Sequence, residues 1–147
     1  MSLTNIFNIA GSGMAAQSLR LNVVASNLAN ANSVASSAQA AYHSREPVFS
    51  VVQQDASMAA QAGSATDAGD GSVGVKVDGI TQSNAPIQRQ YEPGNPMADA
   101  NGYVYSSNVN PVDELVNMIS ASRSYQNNVE VMNTTKQLML KTLSLGN

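Results

Sequence analysis

Apolar residues recur at both ends of the chain with the alternating three- and four-residue spacing of a coiled-coil seam. In the last third, seven of nine seam positions are apolar or aromatic, and the nine are Leu115, Met118, Ser122, Tyr125, Val129, Met132, Lys136, Met139 and Leu143. Near the start eight of nine are apolar, at Leu3, Phe7, Ala10, Met14, Gln17, Leu21, Val24, Leu28 and Ala31. The pattern therefore predicts one long helix at each end of the chain.

Local signals mark where the second helix begins and ends. Asn110 is a good N-cap, Pro111 suits the first helical position, and Asp113 and Glu114 place negative charge in the first turn. Gly146 marks the other end. At 1.5 Å per residue, this helix would be about 50 Å long and the N-terminal helix about 45 Å.

Two helices of similar length are expected to pair, because neither can bury its apolar stripe alone. The sequence thus predicts a mainly α fold with a small β insert. Residues 1–32 and 109–147 would form an antiparallel coiled-coil core, and residues 33–108 an extended arm and a β-rich insert. A compact helical bundle is the alternative, but no third amphipathic helix lies between the two.

The middle of the chain shows the two-residue alternation of strands. Strands are predicted at residues 42–53, 73–82, 87–91 and 103–105. Residues 87–91 are a candidate partner for 73–82. Pro93-Gly94-Asn95-Pro96 and Asn101-Gly102 are strong turn sequences. Residues 54–72 are rich in Ala, Gly, Ser and Asp, which predicts a flexible loop.

The outer surface of the first helix is almost free of charge. Arg20 is the one charged side chain among residues 1–44, and the rest of that surface is Ser, Asn, Gln, Ala and Gly. A helix facing water normally has a charged face. A small, amide-rich face instead favours packing against further protein, where amides donate and accept hydrogen bonds. We interpret it as a self-assembly surface, with a merely weakly charged surface as the alternative.

Composition excludes several classes of function. The chain has 147 residues, a net charge of −3, and seven scattered basic residues, which give no footprint for nucleic acid. The absence of cysteine removes disulfides and thiol chemistry. No apolar run approaches the roughly 20 residues that span a bilayer, and no secretory signal peptide is recognisable. We expect a protein that is not membrane-spanning and that is cytoplasmic or exported with an uncleaved terminus.

Candidate catalytic and metal-binding residues are few. His43 is the single histidine and lies in a polar segment, so we interpret it as a surface residue rather than a catalytic base. Asp67 and Asp70 lie in a Gly-rich stretch, but the ligand spacing and closing glutamate of a calcium loop are missing. We therefore predict no catalytic residue, no metal site and no cofactor.

Several motifs carry a family resemblance. They are Ser-Asn-Leu-Ala-Asn-Ala-Asn-Ser at 26–33, the segments 6–14 and 17–25, Arg-Gln-Tyr-Glu-Pro-Gly-Asn-Pro at 89–96, Asn-Gly-Tyr-Val at 101–104, and the segments 108–119 and 122–131. In this order they resemble the bacterial flagellar rod and hook proteins, the axial family, and most of all its proximal-rod members. One departure is that residues 33–41 stand where many members have a Thr-x-Gly-Tyr turn, before Tyr42.

The resemblance implies a structural protein rather than an enzyme. It implies a subunit of the flagellar basal-body rod that assembles with itself and other rod proteins into a helical drive shaft across the periplasm. Export would be by the flagellar type III apparatus in unfolded form, with the export gate and the MS ring as neighbours near the base. The alternatives are another axial protein, a translocator or needle-type subunit of a virulence secretion system, and a hydrolase or carbohydrate-binding module built on the β insert.

The residues expected at contacts between subunits lie in these motifs. They are Asn27, Leu28, Ala29, Asn30, Asn32, Tyr42, Tyr91, Pro93, Gly94, Arg123, Tyr125 and Asn128. Asn27 and Asn30 are about one helical turn apart, so we expect their amides to form a joint between neighbouring subunits that needs no charge.

Overall fold

A computed structural model describes residues 3–53 and 73–145; the predicted loop at 54–72 lies outside the described residues. The described part contains a helix at each end and short strands between them, so the fold is mainly helical with a small β part. The elements are α1 (Leu3–Asn30), β1 (Val34–Ala35), β2 (Arg45–Gln53), β3 (Val73–Gln82), β4 (Gln88–Tyr91), β5 (Tyr103–Ser106) and α2 (Pro111–Leu145).

Helix α2 begins with the predicted cap. The Asn110 Oδ1 atom accepts a 3.0 Å hydrogen bond from the Val112 backbone N–H, and the Asn110 carbonyl accepts the first helical bond from Glu114. Pro111 occupies the first helical position, where a missing N–H costs nothing. The cap signal in the sequence therefore located this boundary correctly.

Side-chain hydrogen bonds mark the carboxyl end of helix α1. The Asn30 amide donates to the Ser26 carbonyl at 2.8 Å, and the Ser33 hydroxyl donates to the Asn30 carbonyl at 2.7 Å. The second bond satisfies a carbonyl that the end of the helix leaves without an intrahelical partner, while the first ties the Asn30 side chain back onto its own helix. The last turn has no basic residue to neutralise the partial negative charge of that end.

A three-stranded sheet has the order β1-β5-β4. Both pairs are antiparallel, with Ala35 opposite Tyr105 on one side and Gln90 opposite Val104 on the other. Val104, in the central strand, is completely buried. The expected pairing of 87–91 with 73–82 is therefore wrong, because β4 pairs with β5 across the Pro93 and Gly102 turns. Strand β3 pairs instead with β2.

The described residues fall into two compact units, and both helices contribute to each. In the first unit, made of residues 3–18, 49–53, 73–78 and 122–145, α1 and α2 approach each other at two glycines. A Cβ atom on Gly13 would lie 2.8 Å from Asn128 Nδ2, and one on Gly11 would lie 4.0 Å from Met132 Cε. Strand β3 is tied to the same stretch, because the Val75 N–H donates to the Ser12 hydroxyl at 3.2 Å.

The second unit, residues 19–48 and 79–121, holds the three-stranded sheet and most of the fully buried side chains. Here α1 and α2 are linked by the Arg20 guanidinium, which donates to Asn117 Oδ1 at 3.1 Å. The buried apolar residues of this unit are small, and they are Val23, Val24, Ala31, Ala35, Ala41, Val104, Val109 and Ala121.

The positions that α2 buries differ in part from the predicted seam. Glu114, Ala121 and Thr135 are buried, whereas Leu115 and Leu143 are exposed. The half-buried positions include Met118, Val129, Met132 and Met139. On α1, Ala10 and Val24 are buried and Phe7, Met14, Leu21 and Leu28 half-buried. At three of the nine predicted α2 positions, 115, 122 and 136, the buried residue is thus the preceding one, and it is small or polar.

Candidate functional site

Asn27 is the centre of a buried hydrogen-bond network in the second unit. Only 1% of this residue is exposed. Its side-chain nitrogen donates to the Arg45 carbonyl at 2.8 Å and to Glu114 Oε1 at 3.0 Å. Its side-chain oxygen accepts from the Arg45 N–H and from the Tyr42 hydroxyl, both at 3.0 Å. One amide therefore holds α1, the chain entering β2 and the first turn of α2 together.

The network needs an amide at residue 27. The side-chain nitrogen has two donor hydrogens and the oxygen accepts two bonds, which matches the four partners named above. The Ser44 hydroxyl lies farther from the same nitrogen, at 3.4 Å. A carboxylate would have no hydrogen to offer Glu114, and an apolar side chain would leave buried partners unsatisfied. In the free chain the Asn27 amide is already satisfied by partners inside the chain, and its expected role between subunits stays a prediction.

Glu114 is the ionisable member of the network. Burial raises the pKa of its carboxyl above the usual glutamate value, and the nearby Glu46 carboxylate acts in the same direction, while the bond from Asn27 opposes both. The second carboxylate oxygen, Oε2, is buried without a hydrogen-bond partner among the described residues. An unpaired buried acid of this kind favours its neutral form.

Tyr42, predicted as an interface residue, belongs to the same network. Its hydroxyl lies 3.2 Å from the Ser26 hydroxyl, and its ring lies under the Arg45 guanidinium at 5.4 Å from the ring centre. Next to it, the Ser44 N–H donates to Asn108 Oδ1 at 2.7 Å. His43 bonds the Ser83 carbonyl through Nδ1 at 3.1 Å, so it serves the packing of this region.

The other predicted interface residues of the motif at 26–33 differ in how exposed they are. Asn30 is half-buried and bonds its own helix, at the Ser26 carbonyl. Leu28 is half-buried, whereas Ala29 and Asn32 are exposed. Of the predicted residues in this motif, only Ala29 and Asn32 therefore present an open surface in the free chain.

Tyr91, Pro93 and Gly94 surround the turn between β4 and β5. The Tyr91 ring meets the Tyr103 ring edge-on at 5.2 Å between centroids, yet 65% of Tyr91 is exposed. Gly102 has a φ of 79°, and a Cβ atom there would lie 2.9 Å from the Tyr91 ring. The turn thus needs glycine at 102, and it leaves an aromatic face open.

The predicted residues on α2 are only partly covered. Arg123 and Tyr125 are exposed, and Asn128 is half-buried beside Gly13. Sequence reasoning missed an apolar row that precedes them. Four large apolar side chains near the start of α2 are exposed, namely Val112, Leu115, Val116 and Ile119. Their i, i+3, i+4, i+7 spacing is visible in the sequence. It was missed because Leu115 was assigned to the coiled-coil seam, which predicts that this residue is buried.

Two other kinds of site are absent from residues 3–53 and 73–145. No cluster of three His, Cys, Asp or Glu side chains is arranged to hold a metal ion. Neither described helix has the length and apolar character required to cross a membrane.

Comparison with known proteins identifies the family. Residues 7–35 match the family of flagella basal body rod proteins, and residues 100–145 match the C-terminal family of flagellar basal body rod FlgEFG proteins. The flagellar basal-body rod protein FlgC of Salmonella typhimurium is 55% identical over 146 residues, 99% of each chain. FlgC of Escherichia coli O157:H7 is 54% identical over 146 residues, and FlgC of Buchnera aphidicola subsp. Acyrthosiphon pisum 45% over 148, again with 99% of each chain covered.

The chain belongs to the flagellar basal-body rod protein family, as its motifs predicted. Its full-length relatives within that family are FlgC proteins, and it is a structural subunit of the rod.

Proposed function

We propose that this chain assembles with copies of itself and with other rod proteins into the proximal part of the flagellar rod, a helical shaft that transmits torque across the periplasm. The observation that carries the proposal is the identity of 55% to a flagellar basal-body rod protein along 99% of both chains. We do not propose an enzymatic role. The buried polar network around Asn27 consists of hydrogen bonds between groups of the same chain, and these bonds hold the fold together.

Within the rod, α1 and α2 would pair as the antiparallel coiled coil of a core domain, with residues 33–108 carried outside it. Two contacts support antiparallel pairing. Gly13 lies against Asn128, and Gly11, earlier in α1, lies against Met132, later in α2. Cysteines placed singly in residues 11–14 and in residues 128–132 should form disulfides within a subunit of assembled rods. Cysteines placed in residues 11–14 and 138–144 are the control and should not.

The subunit would leave the cytoplasm unfolded through the flagellar type III apparatus, without cleavage of a signal peptide, and would reach neighbours that include the export gate and the MS ring. A small core of alanines and valines supports this, because such a core resists unfolding less than one of large side chains. Mass spectrometry of rod-incorporated protein should find the original N-terminus intact; a shortened N-terminus would contradict this route.

Complementation tests the proposed function. The chain should restore swimming and basal-body rods to a Salmonella typhimurium strain that lacks its FlgC protein. The control is Val129→Asp, which places a carboxylate at a half-buried α2 position and should reduce rod formation. Protein that is produced and exported, but that never enters basal bodies seen by electron microscopy, would contradict the proposal.

A further inference from the structure

The first three turns of α2 carry an apolar row on their exposed side. The row consists of Val112, Leu115, Val116 and Ile119, whose exposed fractions lie between 48% and 67%. The opposite side of the same turns is buried at Glu114 and Ala121. Four neighbouring side chains of this size form an apolar patch on the order of a few hundred Å², which is the size of the largest patch on a typical monomer, and that patch is often functional.

The same unit has a second exposed helix face, which carries small, uncharged side chains instead of large apolar ones. On α1, Asn22, Ala25 and Ala29 are exposed and repeat at i, i+3 and i+7. They lie on one side of the helix, while Val23, Val24 and Asn27 point into the unit. We call these three residues the α1 neutral face, because no charged side chain lies between Leu21 and Ser44.

The row and the α1 neutral face match in spacing and in size. Val112, Leu115 and Ile119 repeat at the same i, i+3, i+7 interval as Asn22, Ala25 and Ala29. Large side chains on one helix fit against small ones on another, because the small ones form the grooves that receive them. No charge has to leave water on the neutral face, so its burial carries no ionic desolvation cost.

The ends of the helices also favour this contact. The α1 neutral face reaches the carboxyl end of α1, whose last turn has no basic residue. The row lies at the amino end of α2. If the two helices meet antiparallel, with Val112 opposite Ala29, the partial positive end of one faces the partial negative end of the other.

We propose that the apolar row of one copy docks antiparallel on the α1 neutral face of a second copy of this chain. The contact joins two different surfaces, so each copy keeps one free surface of each kind, and the association continues as an open helical series. The proposal rests on the proposed function as a rod subunit, and it names the surfaces through which that subunit would meet its own kind.

Two blocking variants of the full chain test the contact. Val116→Glu places a charge on the row, and Ala25→Glu places a charge on the α1 neutral face. Ser120→Glu, on the exposed flank of α2, and Ala25→Ser, which stays small and neutral, are the matched controls. All three positions are exposed, so circular dichroism should show unchanged helix content in the four variants.

Analytical ultracentrifugation then measures association. The unchanged chain and both controls should form oligomers that grow with concentration. Each blocking variant alone should be a monomer. A mixture of the two should form dimers and nothing larger, because each supplies the one surface that the other lacks. The proposal is overturned if the unchanged chain stays monomeric, if either blocking variant associates like the unchanged chain, or if the mixture remains monomeric.

Disulfide trapping tests the orientation. Val112→Cys in one copy should crosslink to Ala29→Cys in the other more than tenfold faster than to Asn22→Cys, and the reverse preference would overturn the antiparallel arrangement. If these tests fail, the proposed function can still be tested separately by complementation. Val116→Glu and Ala25→Glu that restore swimming like the unchanged chain would refute this contact alone, while an unchanged chain that fails to restore swimming would refute the rod function.

Discussion

Asn128 occupies space that only a glycine at position 13 leaves free. A Cβ atom on Gly13 would lie 2.8 Å from the Asn128 side-chain nitrogen, closer than real Cβ atoms approach other heavy atoms. One on Gly11 would lie 4.0 Å from Met132, an ordinary contact. In the first unit, the contact between α1 and α2 therefore depends on one of these two glycines and not on the other.

Alanine at the two glycines should have different effects. Gly11→Ala should raise the free energy of unfolding by about 0.5–1 kcal/mol, because alanine is favoured over glycine inside helices. Gly13→Ala should give a smaller gain or a loss, since the Asn128 amide must move. Urea denaturation measures both. In an Asn128→Ala background the two alanines should stabilise equally, and equal gains in the unchanged chain would contradict the close approach.

Removing the amide of Asn27 should destabilise the folded chain strongly. Asn27→Ala leaves the Tyr42 hydroxyl, the Arg45 N–H and Glu114 without their partner, and each stranded group costs about 1–3 kcal/mol. Three such groups together give an expected loss of at least about 3 kcal/mol in urea denaturation. Asn30→Ala is the matched control, because Asn30 makes a local bond to Ser26 and should cost about 1 kcal/mol. Similar losses for the two variants would count against the network.

Glu114 should make stability fall as the pH rises. Its folded-state pKa is raised, so the folded chain holds the proton more tightly than the unfolded chain does. The resulting stabilisation is present below the unfolded value and is lost as the pH rises through the folded pKa. Glu114→Gln keeps a neutral side chain at every pH. The stability of this variant relative to the unchanged chain should therefore increase from pH 4 to pH 8. Asp113→Asn, at an exposed neighbour, is the control, and a flat difference for Glu114→Gln would refute the shift.

The register of α2 can be tested by comparing one residue from its buried side with one from its exposed side. Ala121 is completely buried, whereas Leu115 is 48% exposed. Ala121→Asp should lower the free energy of unfolding by several kcal/mol because it buries an unpaired charge. Leu115→Asp should change the stability of the free chain little. Thermal unfolding of dilute protein measures both, and a larger loss for Leu115→Asp would restore the register predicted from the apolar spacing.

The sequence predicted where the helices lie better than it predicted which side of each helix is buried. Both helices were predictable from their long apolar spacing, and the cap at Asn110 also marked where α2 begins. The α2 face was harder, because apolar spacing selects large residues such as Leu115, whereas the structure buries Ala121 and Thr135. Thr135 is tolerated there because its hydroxyl donates to the Val131 carbonyl at 2.8 Å. Small residues suit a close approach, and a search for large apolar side chains does not find them.

Strand pairing and the partners of Asn27 were beyond the reach of local patterns. Strand β1 has two residues, too few to show alternation. Strand β4 pairs with β5 because the turn at Gly102 returns the chain, although alternation alone fits β3 equally well. The motif drew attention to Asn27, but the Glu114 carboxylate to which its amide donates lies 87 positions away in the sequence. Nothing in one sequence shows that these two residues meet.

The neutrality of residues 1–44 determines how the assembled protein responds to the water around it. Arg20 is their single charged side chain, and its guanidinium bonds a neutral amide, that of Asn117. Dissolved ions screen charge pairs over about 10 Å at 0.1 M, but they hardly affect apolar and amide contacts. Joints made through α1 should therefore hold equally well in dilute and in brackish surroundings.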